Sequence, residues 1–151
     1  LTPLAQTVLN LIGQSENPVE LTGEFMIQSE FIEKSNQPFG CILCSWLAYL
    51  FGEYEIASSA ISSRNEVEKN SIKKIEMHGM VPFIDCLVYL ASSVKRKQNN
   101  SASELSEKLE EMKKLVSYSP RNNQHKMLLI EAELAYLKND FDMAMEKYDA
   151  A

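Results

Sequence analysis

Two stretches of the chain are spelled alike: Leu47-Ala48-Tyr49-Leu50-Phe51-Gly52-Glu53-Tyr54-Glu55-Ile56-Ala57 and Leu134-Ala135-Tyr136-Leu137-Lys138-Asn139-Asp140-Phe141-Asp142-Met143-Ala144. Each runs Leu-Ala-Tyr-Leu, one residue, Gly or Asn, an acid, an aromatic, two residues and Ala. Gly52 and Asn139 are residue types that tolerate the left-handed conformation of a tight turn, so an apolar helix is predicted to end at each. The acid that follows, Glu53 or Asp140, suits the positive end of the next helix dipole. Tyr54 or Phe141 is expected to fold back on the first helix, and the small Ala57 or Ala144 to let the two helices approach closely. Each copy therefore reads as a helical hairpin. Such a hairpin cannot cover its own second face and must stack on neighbours, which is the logic of helical solenoids.

The rest of the chain agrees with an all-α reading. Pro3, Pro18, Pro38, Pro82 and Pro120 each sit just ahead of an apolar-periodic segment, where the missing N–H of a first helical turn costs nothing. Asn17-Pro18-Val19-Glu20 adds a capping side chain, Ser119-Pro120 offers another, and Ser101-Ala102-Ser103-Glu104 has the form of a capping box. Leu105, Leu109, Met112 and Val116 then fall on one helix face. The predicted helices are 3–12, 18–34, 38–51, 54–75, 81–96, 102–118, 120–138 and 140–151. The fold expected is a short, irregular solenoid of antiparallel helical hairpins, a single repeat domain over residues 1–151.

Composition narrows the function classes. At 151 residues, 45% hydrophobic and 24% charged, the chain can bury one respectable core. It has no run of about 18 apolar residues, and its start, Leu1-Thr2-Pro3-Leu4, lacks an initiator Met and a basic signal-peptide start. The expectation is a cytoplasmic, membrane-free piece of a larger protein. A net charge of −6 repels phosphate backbones, and the one compact basic run, Lys95-Arg96-Lys97, leads into polar residues, so nucleic acid is not an expected partner. Three cysteines in such a context suggest reduced thiols.

The turn, aromatic and small-residue positions resemble tetratricopeptide repeats: Gly52, Tyr54 and Ala57 in one copy, Asn139, Phe141, Ala144, Tyr148 and Ala151 in the other. Ala132 fits a small position of the first helix and Ser45 nearly so, while Glu131 stands where a leucine is usual. The copies lie 87 residues apart, Leu47 to Leu134, which is not a multiple of the usual repeat of about 34. From about Phe25 onward, and most sharply from Asn122 to Ala151, the chain also resembles the helical-repeat region of very large signalling proteins. Those carry a protein-kinase-like domain, an AAA-type ATPase, this helical region, a GAF sensor and a histidine kinase. There the stretch matching Asn123 to Ala135 is typically Asn-Phe-x-His-Lys, an apolar pair and Glu-Ala-Glu-x-Ala. The resemblance implies a connector and regulatory surface, with catalytic and nucleotide motifs outside these residues.

Motifs that carry chemistry are sparse. Cys41-Ile42-Leu43-Cys44 has the spacing of a zinc or redox pair, but there is no second pair, and Cys86, His78 and His125 lack ligand spacing with it. Buried small hydrophobes are the other reading of these thiols, favoured by the apolar wall of Phe39, Ile42, Leu43 and Trp46. His125 has no visible nucleophile or carboxylate partner, and His78 reads as a loop residue. There is no phosphate-binding glycine loop and no H-E-x-x-H. No enzyme activity, metal or cofactor is expected.

A protein-binding surface is the better expectation. If the repeat register holds, the groove positions are Phe39, Ile42, Trp46 and Tyr49 in one copy and Lys126, Leu129, Glu133 and Tyr136 in the other. Trp46, Tyr49 and Tyr136 are amphipathic aromatics of the kind enriched at recognition surfaces. The competing reading packs them on neighbouring helices. In the last helix Phe141, Ala144, Met145 and Tyr148 make one stripe with Met143 off it, so some apolar surface should stay uncovered, to be hidden by self-association of this C-terminal helix or lost by its fraying. The expected function is a non-catalytic scaffold inside a multidomain signalling kinase. Its alternatives are a free-standing adaptor that grips a peptide or partner helix, and, more distantly, a metal or redox protein built on Cys41 and Cys44.

Overall fold

The structure, a computed structural model, describes residues 2–35, 38–69, 79–96 and 101–151. Its elements are α1 (Thr2–Leu11), α2 (Gln28–Ser35), α3 (Pro38–Leu50), α4 (Tyr54–Lys69), α5 (Met80–Arg96), α6 (Ser101–Tyr118), α7 (Pro120–Leu137) and α8 (Phe141–Ala150). Among the described residues there is no strand, and no helix long and apolar enough to cross a membrane. The chain divides into two compact units, Leu1–Ile75 and Glu76–Ala151.

In the first unit α3 is the hub. It packs on α1, α2 and α4, and its inward residues Leu43, Cys44 and Leu47 form a core with Leu21, against which Met26, Phe39, Trp46 and Ala60 lie. The expected helix 18–34 is only half present. Residues 18–27 form turns, bends and irregular chain, and Asn17 does not cap a helix: its Oδ1 accepts from the Val19 amide (3.2 Å), closing a turn at Pro18. The physical reason lies in α1. Buried Asn10 donates from Nδ2 to the carbonyls of Glu20 (2.6 Å) and Pro18 (3.1 Å), and buried Gln6 accepts from the Phe25 amide (3.1 Å). Gly23 presses so closely on Gln6 that a Cβ there would meet its Nε2 at 2.6 Å. These side chains satisfy backbone groups that a helix would have satisfied internally.

The second unit is built from α5, α6 and α7 in mutual contact, with α8 folded back on α7. Met112 from α6 meets Cys86 and Leu90 of α5 and Met127 and Ile130 of α7, and Leu105, Leu109 and Val116 extend this core as the sequence periodicity predicts. Ser119 sits at the N-cap of α7, yet its side chain makes no cap bond. Buried Asn123 serves the preceding helix, donating to the carbonyls of Leu115 and Ser119, both at 3.2 Å, and so closing the end of α6. The capping box at Ser101 falls on a side chain outside the described residues, as do His78 and residues 70–75 of the expected fourth helix.

Both hairpins follow the spelling. Gly52 has φ 77° and Asn139 has φ 62°, the left-handed turns expected. Tyr54 returns onto Tyr49 with ring centroids 5.9 Å apart, and Phe141 onto Tyr136 at 5.6 Å, edge to face. Asp140 caps α8 by accepting from the Met143 amide at 3.2 Å. Ala57 and Ala144 are both buried where the helices cross.

Candidate functional site

The two copies of the hairpin differ in what their first helices leave open. In α3 the predicted groove side is largely filled. Ile42 is 1% exposed, Phe39 and Trp46 pack on the core of Leu43, Cys44 and Leu47, and Tyr49 stands half-buried against Tyr54. The cause is the segment before α3: Leu21 and Met26 occupy that core with them.

In α7 the equivalent side remains accessible. Asn123, Met127, Ile130 and Leu134 turn toward the unit's interior, and Ala132 and Ala135 are buried in the same helix where α8 packs. Helical periodicity puts Lys126, Leu129, Glu133 and Tyr136 together on the strip between those two packed sides. The first three are half-buried and Tyr136 is exposed. Lys126 Nζ donates to the Asn122 carbonyl at 3.0 Å, which holds it near the start of the helix.

Helix α8 extends this strip. Tyr148 donates its hydroxyl to the Glu133 carboxylate at 2.5 Å, and Phe141 stands edge-on to Tyr136. A residue the sequence assigned to repeat geometry, Tyr148, thus joins one assigned to the groove, Glu133; their separation of 15 positions crosses a turn and gives no local pattern to read. Phe141 is 57% exposed and Met145 64% exposed. The strip therefore runs from Leu129 through Tyr136 and Phe141 to Met145, an apolar surface with one carboxylate along its edge.

On the opposite flank of the hairpin Glu131 pairs with Lys147 at 2.8 Å. This explains the acid where the repeat pattern favours leucine: a cross-helix ion pair replaces an apolar contact. Its hydrogen bond to Glu131 holds the Lys147 ammonium above the usual lysine range. Beside the pair lies an open cleft of about 490 Å³ lined by Leu134, Lys138, Asp140 and Met143.

The Cys41-x-x-Cys44 pair is buried in α3 as free thiols, and Cys86 is buried in α5. Burial pushes Cys44 and Cys86 up to about 12, and Cys41 is also raised, by the same desolvation, with Arg64 acting against it. Cys44 Sγ donates to Gln28 Oε1 at 3.2 Å. Protonated thiols of this kind are poor nucleophiles and poor metal ligands. Both line a cleft of about 360 Å³ with Gln28, Glu55, Ser59 and Ser63, and among the described residues no group of three metal-ligating side chains forms. His125 is exposed on α7.

Compared with protein-family models, curated proteins and solved structures, the chain finds no match.

Proposed function

We propose that this chain is a non-catalytic helical-repeat scaffold, a regulatory connector of a multidomain signalling kinase that works in the cytoplasm through protein–protein or interdomain contacts. The observation that carries the reading is the α7–α8 hairpin, a helix pair with a tightly built inner side and an apolar strip of Tyr136, Phe141 and Met145 left open along it, continued by half-buried Leu129. Stacking of such hairpins into a short tetratricopeptide-like solenoid would cover strips of this kind in succession. The resemblance of Asn122 to Ala151 to the helical region of those kinases supplies the cellular setting. The buried, protonated thiols support a role without chemistry of their own.

The second reading is a free-standing adaptor that grips a peptide or partner helix. The placement of Lys126, Leu129, Glu133 and Tyr136 on one accessible side of α7 favours it. Reading the gene on both sides of this coding segment separates the two. A P-loop ATPase upstream or a histidine-kinase core downstream is the result expected; a start codon and a stop codon closely bracketing these residues overturns the connector in favour of the adaptor.

A further inference from the structure

We propose that the face shared by α7 and α8 is a docking site for a basic amphipathic helix, whose apolar ridge packs on Tyr136, Phe141, Met145 and Tyr148 while its lysines or arginines meet an acidic row on α8. The proposal deepens the contact-surface reading above and rests on it.

Two parallel rows run along α8. Phe141, Met145 and Tyr148 are spaced by four and three, and so are Asp142, Glu146 and Asp149, one residue further on. The first row is apolar and open to solvent; the second is exposed and acidic. The single lysine of α8, Lys147, points the other way and hydrogen-bonds Glu131. On the α7 side the strip is edged by another carboxylate, Glu133. An apolar stripe flanked by three carboxylates on α8, with Glu133 nearest it on α7 and Lys126 ten positions back from Tyr136, gives its partner a sign as well as a shape: apolar ridge, basic flank toward α8. Rows at this spacing form the ridges into which a second helix packs.

The same charges disfavour the other occupants. In a symmetric antiparallel contact between two α8 helices like flanks meet, so the acidic row of one copy faces that of the next. Anionic lipid surfaces and nucleic acids are repelled by it.

The test is fluorescence anisotropy of the purified chain with a labelled amphipathic helical peptide of leucine and lysine, and with its twin in which every lysine is glutamate. The native chain should bind the lysine peptide at least about tenfold more tightly than the glutamate peptide, the order expected of several rim ion pairs acting together. D142K/E146K/D149K should invert that preference, and Met145→Ser should weaken binding of the lysine peptide. E16K/E104K/E107K makes the same change in net charge at exposed positions elsewhere and should leave it unaltered. All these positions are exposed, and because Glu104 and Asp142 lie in the first turns of α6 and α8, unchanged circular dichroism of each triple variant accompanies the comparison. Equal loss in the two triple variants would reduce the effect to net charge and overturn the proposal. A doubled solution mass of the chain alone, abolished by Met145→Asp, overturns it in favour of a second copy. Failure to bind either peptide overturns it too and leaves the connector reading standing, since the flanking gene decides that separately.

Discussion

Asn10 does more for the first unit than its place in an apolar-looking helix suggests. It and Gln6 are buried, while Leu4, Val8, Leu11 and Ile12 of the same segment are exposed, so α1 turns its amides inward to hold residues 17–25 and its aliphatic side chains outward. Asn10→Ala should destabilise the unit by about 1–3 kcal/mol, because carbonyls of the Pro18 turn lose a buried donor; urea unfolding followed by circular dichroism measures it. Nothing local in the sequence shows this, since Pro18 resembles a helix start and the amides that claim the carbonyls around it lie in a different element. The thiols were legible, because the apolar wall around Cys41 and Cys44 is contiguous in sequence. With their pKa values raised, they contribute stability that is fully present below the ordinary thiol value near 9 and lost progressively as pH rises from there to about 12. Iodoacetamide at pH 8 should therefore leave Cys44 and Cys86 unmodified in the folded chain and alkylate them in urea, as read by intact mass.

At the scale of elements, the hairpins are where sequence and structure agree most closely. Each device in them is local: a left-handed residue, an acid, an aromatic five positions after the tyrosine it meets, and an alanine three positions later. Ala57→Leu and Ala144→Leu should each cost about 1–3 kcal/mol by forcing the helices apart. The two differ in surroundings, so calorimetry should find Ala57→Leu the more damaging, because the first hairpin is more completely packed and has less room to relax. Equal melting temperatures for either variant and the native chain would contradict the shared geometry. What the repeat register did not reveal is that the two first helices would differ. Phe39 and Trp46 of α3 are drawn into a core shared with Leu21 and Met26, and the segment that carries those two is one whose conformation depends on side chains from α1. The closing of α6 has no local signal for a similar reason, since Asn123 of α7 reaches back to it over eight positions, while Ser119 has the residue type of a cap but makes no cap bond.

For the molecule as a whole, the proposed function is a matter of surface. The accessible strip across α7 and α8 is the surface proposed for a partner, and α8 carries an internal control. Met145 lies in the strip and Met143 lies off it, beside the Glu131–Lys147 pair, yet both are exposed. Met112 is fully buried in the unit's core. Oxidative footprinting of the three methionines, in the purified chain and in the protein within its own cells, is the sharpest probe of docking on this strip. In the purified chain Met143 and Met145 should oxidise readily and Met112 should resist. In cells, where the partner is present, Met145 should become protected while Met143 stays reactive. Equal reactivity of Met143 and Met145 in both settings would mean that no partner docks on the strip.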